Sequence, residues 1–164
     1  MRAFCPLCGG DMNKTNAMRI IERDGAEYTV HTYDGGALSG VAVAEELGED
    51  VSRVYKTLVT TSGPGKFFVF VIPVAEELDL KKAAKAAGEK SVEMLPQKQL
   101  LPVTGYIHGG CSPVGMKKLF PTFFDSSAEG KVIFVSAGKV GMQVELSSAE
   151  LVRITGASFA PLTR

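Results

Sequence analysis

Apolar positions along the chain switch between helical spacing and strict alternation, and the switches predict a succession of short helices and strands. In TNAMRIIERDG, Ala17, Ile20 and Ile21 recur at helical spacing behind the N-cap candidates Thr15 and Asn16, and Gly25 is the stop. YTVHTYD (28–34) is rich in β-branched and aromatic residues and reads as a strand ending in the flexible pair Gly35-Gly36. SGVAVAEELG predicts a second helix between the cap Ser39 and the stop Gly48. VYKTLVTTS and KFFVFVIPV flank Gly63-Pro64-Gly65, turn chemistry that joins them as a central antiparallel hairpin. DLKKAAKAAG opens on Asp79, which suits a helix N-cap, buries a stripe of Leu80, Ala83, Ala84 and Ala87, and closes on Gly88. SVEML then reads as a strand, PQKQLL as a helical turn and TGYIHGG as a strand entering a glycine loop. LFPTFFD, KVIFVSAG and MQVELS follow as three more strands, and SAELVRITG as a closing helix. About seven strands with few long helices predict an α+β domain on a mixed, barrel-like β-sheet with surrounding helices.

Composition narrows the class. A chain of 164 residues suits one domain, and 45% hydrophobic with 22% charged residues is the balance of a soluble globular protein. No apolar run reaches the ~18 residues of a membrane span, and MRAFCPLCGGDMNK lacks the apolar stretch of a signal peptide, so a cytoplasmic protein is expected. Eighteen basic residues balance eighteen acidic ones, so attraction to nucleic acid has to come from a local patch. Three cysteines, Cys5, Cys8 and Cys111, cannot pair completely, which fits a reducing compartment.

Two stretches carry candidate chemistry. In VYKTLV (54–59) a lysine interrupts an otherwise strand-like run, with Val54, Lys56 and Leu58 alternating against Tyr55, Thr57 and Val59. Either the Lys56 ammonium is buried and needs an anionic or hydrogen-bonding partner, or its stem lies on apolar surface with its head in water. In GYIHGGCSPVGMKK (105–118), glycines at 109, 110 and 115 surround Ser112-Pro113, so the loop is either a tight turn or a set of main-chain N–H groups that can surround an anion. Together with Lys117 and Lys118, the loop and the strand lysine suit a polyanionic ligand better than either does alone.

VHTYD (30–34), VYKTL (54–58), DLKKAAKAAG (79–88), VEML (92–95), TGYIHGGCSPVGMKK (104–118) and VSAGKVGMQVEL (135–146) resemble, in order and spacing, the motifs of the YbaK/EbsC family. That family comprises free-standing Cys-tRNA(Pro) deacylases similar to the editing domain inserted in bacterial prolyl-tRNA synthetases. The resemblance covers residues 15–164 and leaves residues 1–14 as an N-terminal extension, expected to be flexible. It implies the YbaK and prolyl-tRNA synthetase editing-domain fold, and a hydrolase that removes mischarged cysteine from tRNA. Cysteine and proline are too close in size for one pocket to separate, so a second site clears the error. By the resemblance, Lys56 holds the 3′-terminal nucleotide, and Gly109, Gly110, Ser112 and Pro113 form the loop whose amides surround the ester carbonyl. Cys111 belongs to the same loop, and Tyr33 and Ser136 match further pocket positions. The resemblance also implies substrate assistance: the cysteine's own thiolate attacks the ester carbonyl and leaves as a cyclic thiolactone, with no cofactor and no metal.

Other features leave alternatives open. Cys111 is either a nucleophile or a small apolar loop residue. His31 and His108 lie on strands expected beside the site without an acidic partner in sequence, and read as ordinary strand histidines. Ala137, Val140 and Gln143 stand where relatives commonly carry glycine, a basic residue and aspartate, which puts the exact aminoacyl substrate in question. FCPLCGG is half of a zinc knuckle, a redox dithiol or part of a tail. Lys81, Lys82 and Lys85 are either a solvated helix face or, with Lys117, Lys118 and Lys139, the frame for an acceptor stem. Two functions therefore stand: a deacylase of Cys-tRNA(Pro), working alongside prolyl-tRNA synthetase, or a non-catalytic tRNA- or nucleotide-binding module of the same fold.

Overall fold

A computed structural model describes residues 2–4, 14–33 and 40–164, with the side chains of 2–4 and of residue 40 left aside. Cys5, Cys8, Gly35, Gly36 and Ser39, singled out above, lie outside these residues. Nine strands are described: β1 (Arg2–Phe4), β2 (Thr29–Thr32), β3 (Tyr55–Gly63), β4 (Lys66–Pro73), β5 (Glu93–Met94), β6 (Thr122–Asp125), β7 (Val132–Ser136), β8 (Met142–Ser147) and β9 (Ser158–Ala160). Five helices accompany them: α1 (Asn16–Arg23), α2 (Gly40–Leu47), α3 (Leu80–Ala87), α4 (Gln97–Thr104) and α5 (Ser148–Thr155).

The α+β class with a mixed sheet is as expected, but the strands divide into two sheets and close no barrel. One is antiparallel, in the order β1-β2-β8-β7; the other runs β5-β3-β4-β6-β9, with β6 parallel to both β4 and β9. Among the described residues the sheets share one backbone contact, a parallel bridge between Val54, just ahead of β3, and Phe134 on β7.

Local chemistry explains most element boundaries. Thr15 caps α1 by accepting from the Met18 N–H, and Ala17, Met18 and Ile21 form its buried face. Asp79 caps α3 through the N–H groups of Lys81 and Lys82, bonds that hold its carboxyl below the usual range. The hairpin β3–β4 pairs Tyr55 with Pro73 through to Gly63 with Lys66, as the turn chemistry predicts. The segment 97–110 differs from its reading. PQKQLL is not a single turn: α4 runs to Thr104 despite the exposed Pro102, whose missing N–H costs little on a two-turn surface helix. TGYIHGG is therefore no strand. Thr104 ends the helix, Gly105 takes the left-handed cap at φ 86°, and the Tyr106 N–H is satisfied by the Thr104 hydroxyl instead of a ladder.

The main core lies between the sheets. Val30, Ile133, Val135, Val144 and Leu146 of the antiparallel sheet meet Tyr55, Val71 and Phe124 of the other, with α1 and Leu151 of α5 closing the layer. On the opposite face of β4, Phe68, Phe70 and Ile72 pack under Ala83 and Ala84 of α3. Val43, Ala44 and Leu47 of α2 cover Val54, Val74 and Phe134, and so seal the junction of the two sheets.

Candidate active site

The junction orients the candidate residues. Side chains alternate along a strand, so Lys56 shares a face with Val54, and Ser136 shares one with Phe134. The bridge of Val54 with Phe134 is parallel, so Lys56 and Ser136 each lie two residues beyond it in the same direction and on the same side. Tyr33 packs against the cluster formed by Val54 and Phe134, and its N–H donates to the Gly141 carbonyl at 2.9 Å. Lys56 is half-buried opposite Ile72, on the face that α3 covers.

Ser136 is buried in a row that crosses the antiparallel sheet: it pairs with Gln143, which pairs with His31. His31 donates from Nε2 to Glu145 Oε1 at 2.9 Å, so this histidine does have an acidic partner, 114 positions away in sequence. His31 Nδ1 and Gln143 Oε1 are buried without a hydrogen-bond partner among the described residues. Buried polar atoms are normally satisfied, so two unmatched polar atoms on one rung suit a wall that meets polar groups of a ligand.

The glycine loop is fastened to the β7–β8 hairpin. A Cβ on Gly110 would stand 3.1 Å from Val140 N, so the loop backbone lies directly on the hairpin backbone that follows Ser136. Tyr106 pins the two together. Its hydroxyl donates to the Val114 carbonyl at 2.5 Å and would stand 2.7 Å from a Cβ on Gly115, while its ring would stand 2.9 Å from a Cβ on Gly138. Burial pushes the Tyr106 phenol up to about 12, with the Cys111 sulfur adding to it.

Within the loop the parts separate. The Gly110 N–H is committed to the Ile107 carbonyl at 3.0 Å, so Gly110 contributes close packing rather than a donor. The N–H groups of Gly109, Cys111 and Ser112 meet no acceptor among the described residues. The Ser112 hydroxyl is fully buried and accepts from the Val114 N–H at 3.2 Å, holding the turn that the buried Pro113 continues. The Cys111 side chain does not line the pocket: it packs with Val59, Val69, Leu95 and Tyr106, and burial pushes its thiol up to about 12, against a smaller opposing hydrogen bond from Thr104. A thiol so held stays protonated at neutral pH and is no nucleophile. His108 is exposed beside Gly109.

The lysines of α3 are exposed, and between α3 and residues 89–92 lies an open groove of about 440 Å³ whose lining includes Lys81, Lys85, Lys90 and Ser91. Lys117, Lys118 and Lys139 are exposed as well. Among the described residues no helix is long and apolar enough to cross a membrane.

The sequence matches the aminoacyl-tRNA editing domain over residues 36–154, more than half of the chain. The chain belongs to that family. A protein of Enterococcus faecalis provisionally named as a Cys-tRNA(Pro)/Cys-tRNA(Cys) deacylase, EbsC, is 48% identical over 153 residues, covering 92% of this chain and 93% of the relative. A proline–tRNA ligase of Trichlorobacter lovleyi is 26% identical over 93% of this chain, which spans only 29% of that larger enzyme. A crystal structure described as a candidate trans-editing enzyme for prolyl-tRNA synthetase superposes with a TM-score of 0.80 at 23% identity, covering 91% of this chain and 95% of the other. Sequence reasoning had no signal for Arg53, Glu145 or Tyr106, whose roles depend on partners that only the fold brings near.

Proposed function

We propose that this protein is a free-standing aminoacyl-tRNA deacylase that hydrolyses Cys-tRNA(Pro), working in the cytoplasm alongside prolyl-tRNA synthetase. The observation that carries the proposal is the parallel Val54–Phe134 bridge, from which strand alternation sets Lys56 and Ser136 on a shared side, with Tyr33 packed at the bridge and the glycine loop fastened to the hairpin that follows Ser136. A membership in the editing family and a near relative provisionally named for this substrate support it.

The chemistry follows from what each group can do. Lys56 offers a cation, partly withdrawn from water, to the phosphate or ribose oxygens of the terminal nucleotide. The Gly109, Cys111 and Ser112 N–H groups are donors for the oxyanion that forms as the ester carbonyl is attacked; a donor of this kind is worth roughly 3 kcal/mol. The described loop supplies no nucleophile, since the Cys111 thiol is buried and protonated and the Ser112 hydroxyl holds its own turn. The resemblance to the editing family assigns the attack to the substrate's own thiol, in keeping with a loop that offers no nucleophile of its own. The cysteinyl thiol gives up its proton, by way of water, to the departing ribose oxygen as its sulfur forms the new C–S bond and the ester C–O bond breaks; the thiolactone that leaves is opened by water to free cysteine. An internal nucleophile held in reach supplies the rate that the pocket itself lacks.

Deacylation of purified Cys-tRNA(Pro) tests this. The protein should release cysteine, Lys56→Ala should not, and Ala-tRNA(Pro) should react far more slowly because it has no thiol. Equal rates on the cysteinyl and alanyl esters would end the thiol-assisted reading. Retention of tRNA without release would mark the protein as a binding module.

A further inference from the structure

Lys56 and Ser136 belong to different sheets, and among the described residues backbone pairing between those sheets is confined to Val54 and Phe134. One bridge fixes the register of the two sheets at a single point, and core packing is less directional than a hydrogen bond, whereas a misplacement of ~1 Å in an active site can cost about a hundredfold in rate. The residue just ahead of the bridge adds further fixed points. Arg53 Nε donates to the Val132 carbonyl on β7 at 3.1 Å, and Nη2 donates to Glu145 Oε2 on β8 at 2.7 Å. The guanidinium lies over the Phe134 ring, 5.1 Å from its centroid, and Nη1 stands 3.5 Å from Glu49 Oε2, past the end of α2. The second oxygen of Glu145 accepts from His31 on β2, whose ring meets Phe134 in an edge contact at 5.0 Å.

We infer that Arg53 is a positioning residue for the editing reaction: with Glu145 and His31 it sets the place of Lys56 relative to the wall that holds Ser136. The inference rests on the function proposed above. Only arginine fits the post, because its planar fork donates from Nε and from both terminal nitrogens in fixed, diverging directions. A lysine at 53 reaches one of these acceptors at a time. Glu145 in turn uses both oxygens, one toward each sheet, so the arginine on the β3 side and the histidine on β2 are joined through a single carboxylate.

The test measures steady-state deacylation of Cys-tRNA(Pro) and thermal unfolding together, on Arg53→Lys, Glu145→Gln, Lys56→Ala and the double variant Arg53→Lys/Lys56→Ala. Arg53→Lys should lower kcat tenfold or more, within the roughly hundredfold range for a displaced catalytic group, while KM stays put and the protein stays folded at the assay temperature. Glu145→Gln, which keeps one acceptor oxygen, should lose less. Any residual turnover of Lys56→Ala should fall no further in the double variant, because the group that Arg53 positions is then gone. Wild-type kcat in Arg53→Lys, a loss confined to KM, or a loss that only tracks the folded fraction would each overturn the inference. Should Arg53→Lys not fold, wild-type kcat in Glu145→Gln would overturn it instead. A fully active Lys56→Ala would remove the functional reading first, and this inference with it.

Discussion

A thiol within a glycine loop becomes a nucleophile only where its proton leaves near neutral pH. Cys111 is held the other way, by burial among Val59, Val69, Leu95 and Tyr106. We expect Cys111→Ala to deacylate Cys-tRNA(Pro) at the wild-type rate, and the native thiol to resist iodoacetamide at neutral pH. The same burial gives a pH signature. Cys111 and Tyr106 are both raised to about 12, from ordinary values of 9.0 and 10.0. A raised acid of this kind stabilises the fold fully below its ordinary value and loses that contribution as pH climbs toward 12. The melting temperature should therefore fall from about pH 9 upward, and in Cys111→Ala the fall should begin later, nearer pH 10, where Tyr106 takes over together with Tyr28 and Tyr55, whose phenols burial also raises. A wild-type melting temperature that stays flat between those limits and pH 12 would contradict the burial assigned to both groups. At this scale Lys56 is legible in the sequence, because a charge breaks an apolar alternation. The pairing of His31 with Glu145 is not, because nothing local signals a partner on a strand 114 positions away.

Elements were legible where their signal is local. The hairpin β3–β4 and the helix α3 carry their own turn and cap residues, so both are found where read, except that Leu80, expected in the buried stripe of α3, is exposed on its first turn. The segment 97–110 misleads because Pro102 resembles a terminator and the Tyr106-Ile107 pair imitates strand alternation. β9 follows α5 too closely and is too short to announce itself, and the division into two sheets is hidden because periodicity identifies a strand without naming its neighbour. The join between the glycine loop and the β7–β8 hairpin is equally silent in sequence, yet the site depends on it. Gly138 sits at φ 96° with the Tyr106 ring where a methyl would go, whereas Gly130, at φ 75°, faces open space. Alanine at either position carries left-handed strain of about 1–2 kcal/mol. We expect Gly130→Ala to lower the melting temperature by that strain alone and to leave deacylation untouched. Gly138→Ala should cost more in stability, through the added clash, and should also slow deacylation as the hairpin shifts beneath Gly110. Equal behaviour of the two variants in both measurements would show that Tyr106 does not couple the loop to the hairpin.

Across the whole molecule, a net charge of zero leaves no general attraction for RNA, so recognition has to follow a local path. The structure offers one. Lys56 lies on the face of its sheet that α3 covers, and α3 turns Lys81 and Lys85 outward along an open groove. An acceptor end whose terminal nucleotide is held at Lys56 can run its backbone along that helix. Lys82 differs from its neighbours, since its ammonium donates to the Thr163 carbonyl at 2.7 Å and serves the fold. Each phosphate contact releases condensed counterions and adds about 0.7–0.9 to the slope of log affinity against log salt. Replacing Lys81 and Lys85 together with glutamine should therefore make that slope shallower by roughly 1.5 in a tRNA-binding titration, while kcat at saturating tRNA is unchanged because neither lysine meets the ester. Lys82→Gln should leave the slope where it was and lower stability instead. An unaltered slope in the double variant would take α3 off the path of the RNA and turn attention to Lys117, Lys118 and Lys139, the exposed cations around the glycine loop and its supporting hairpin.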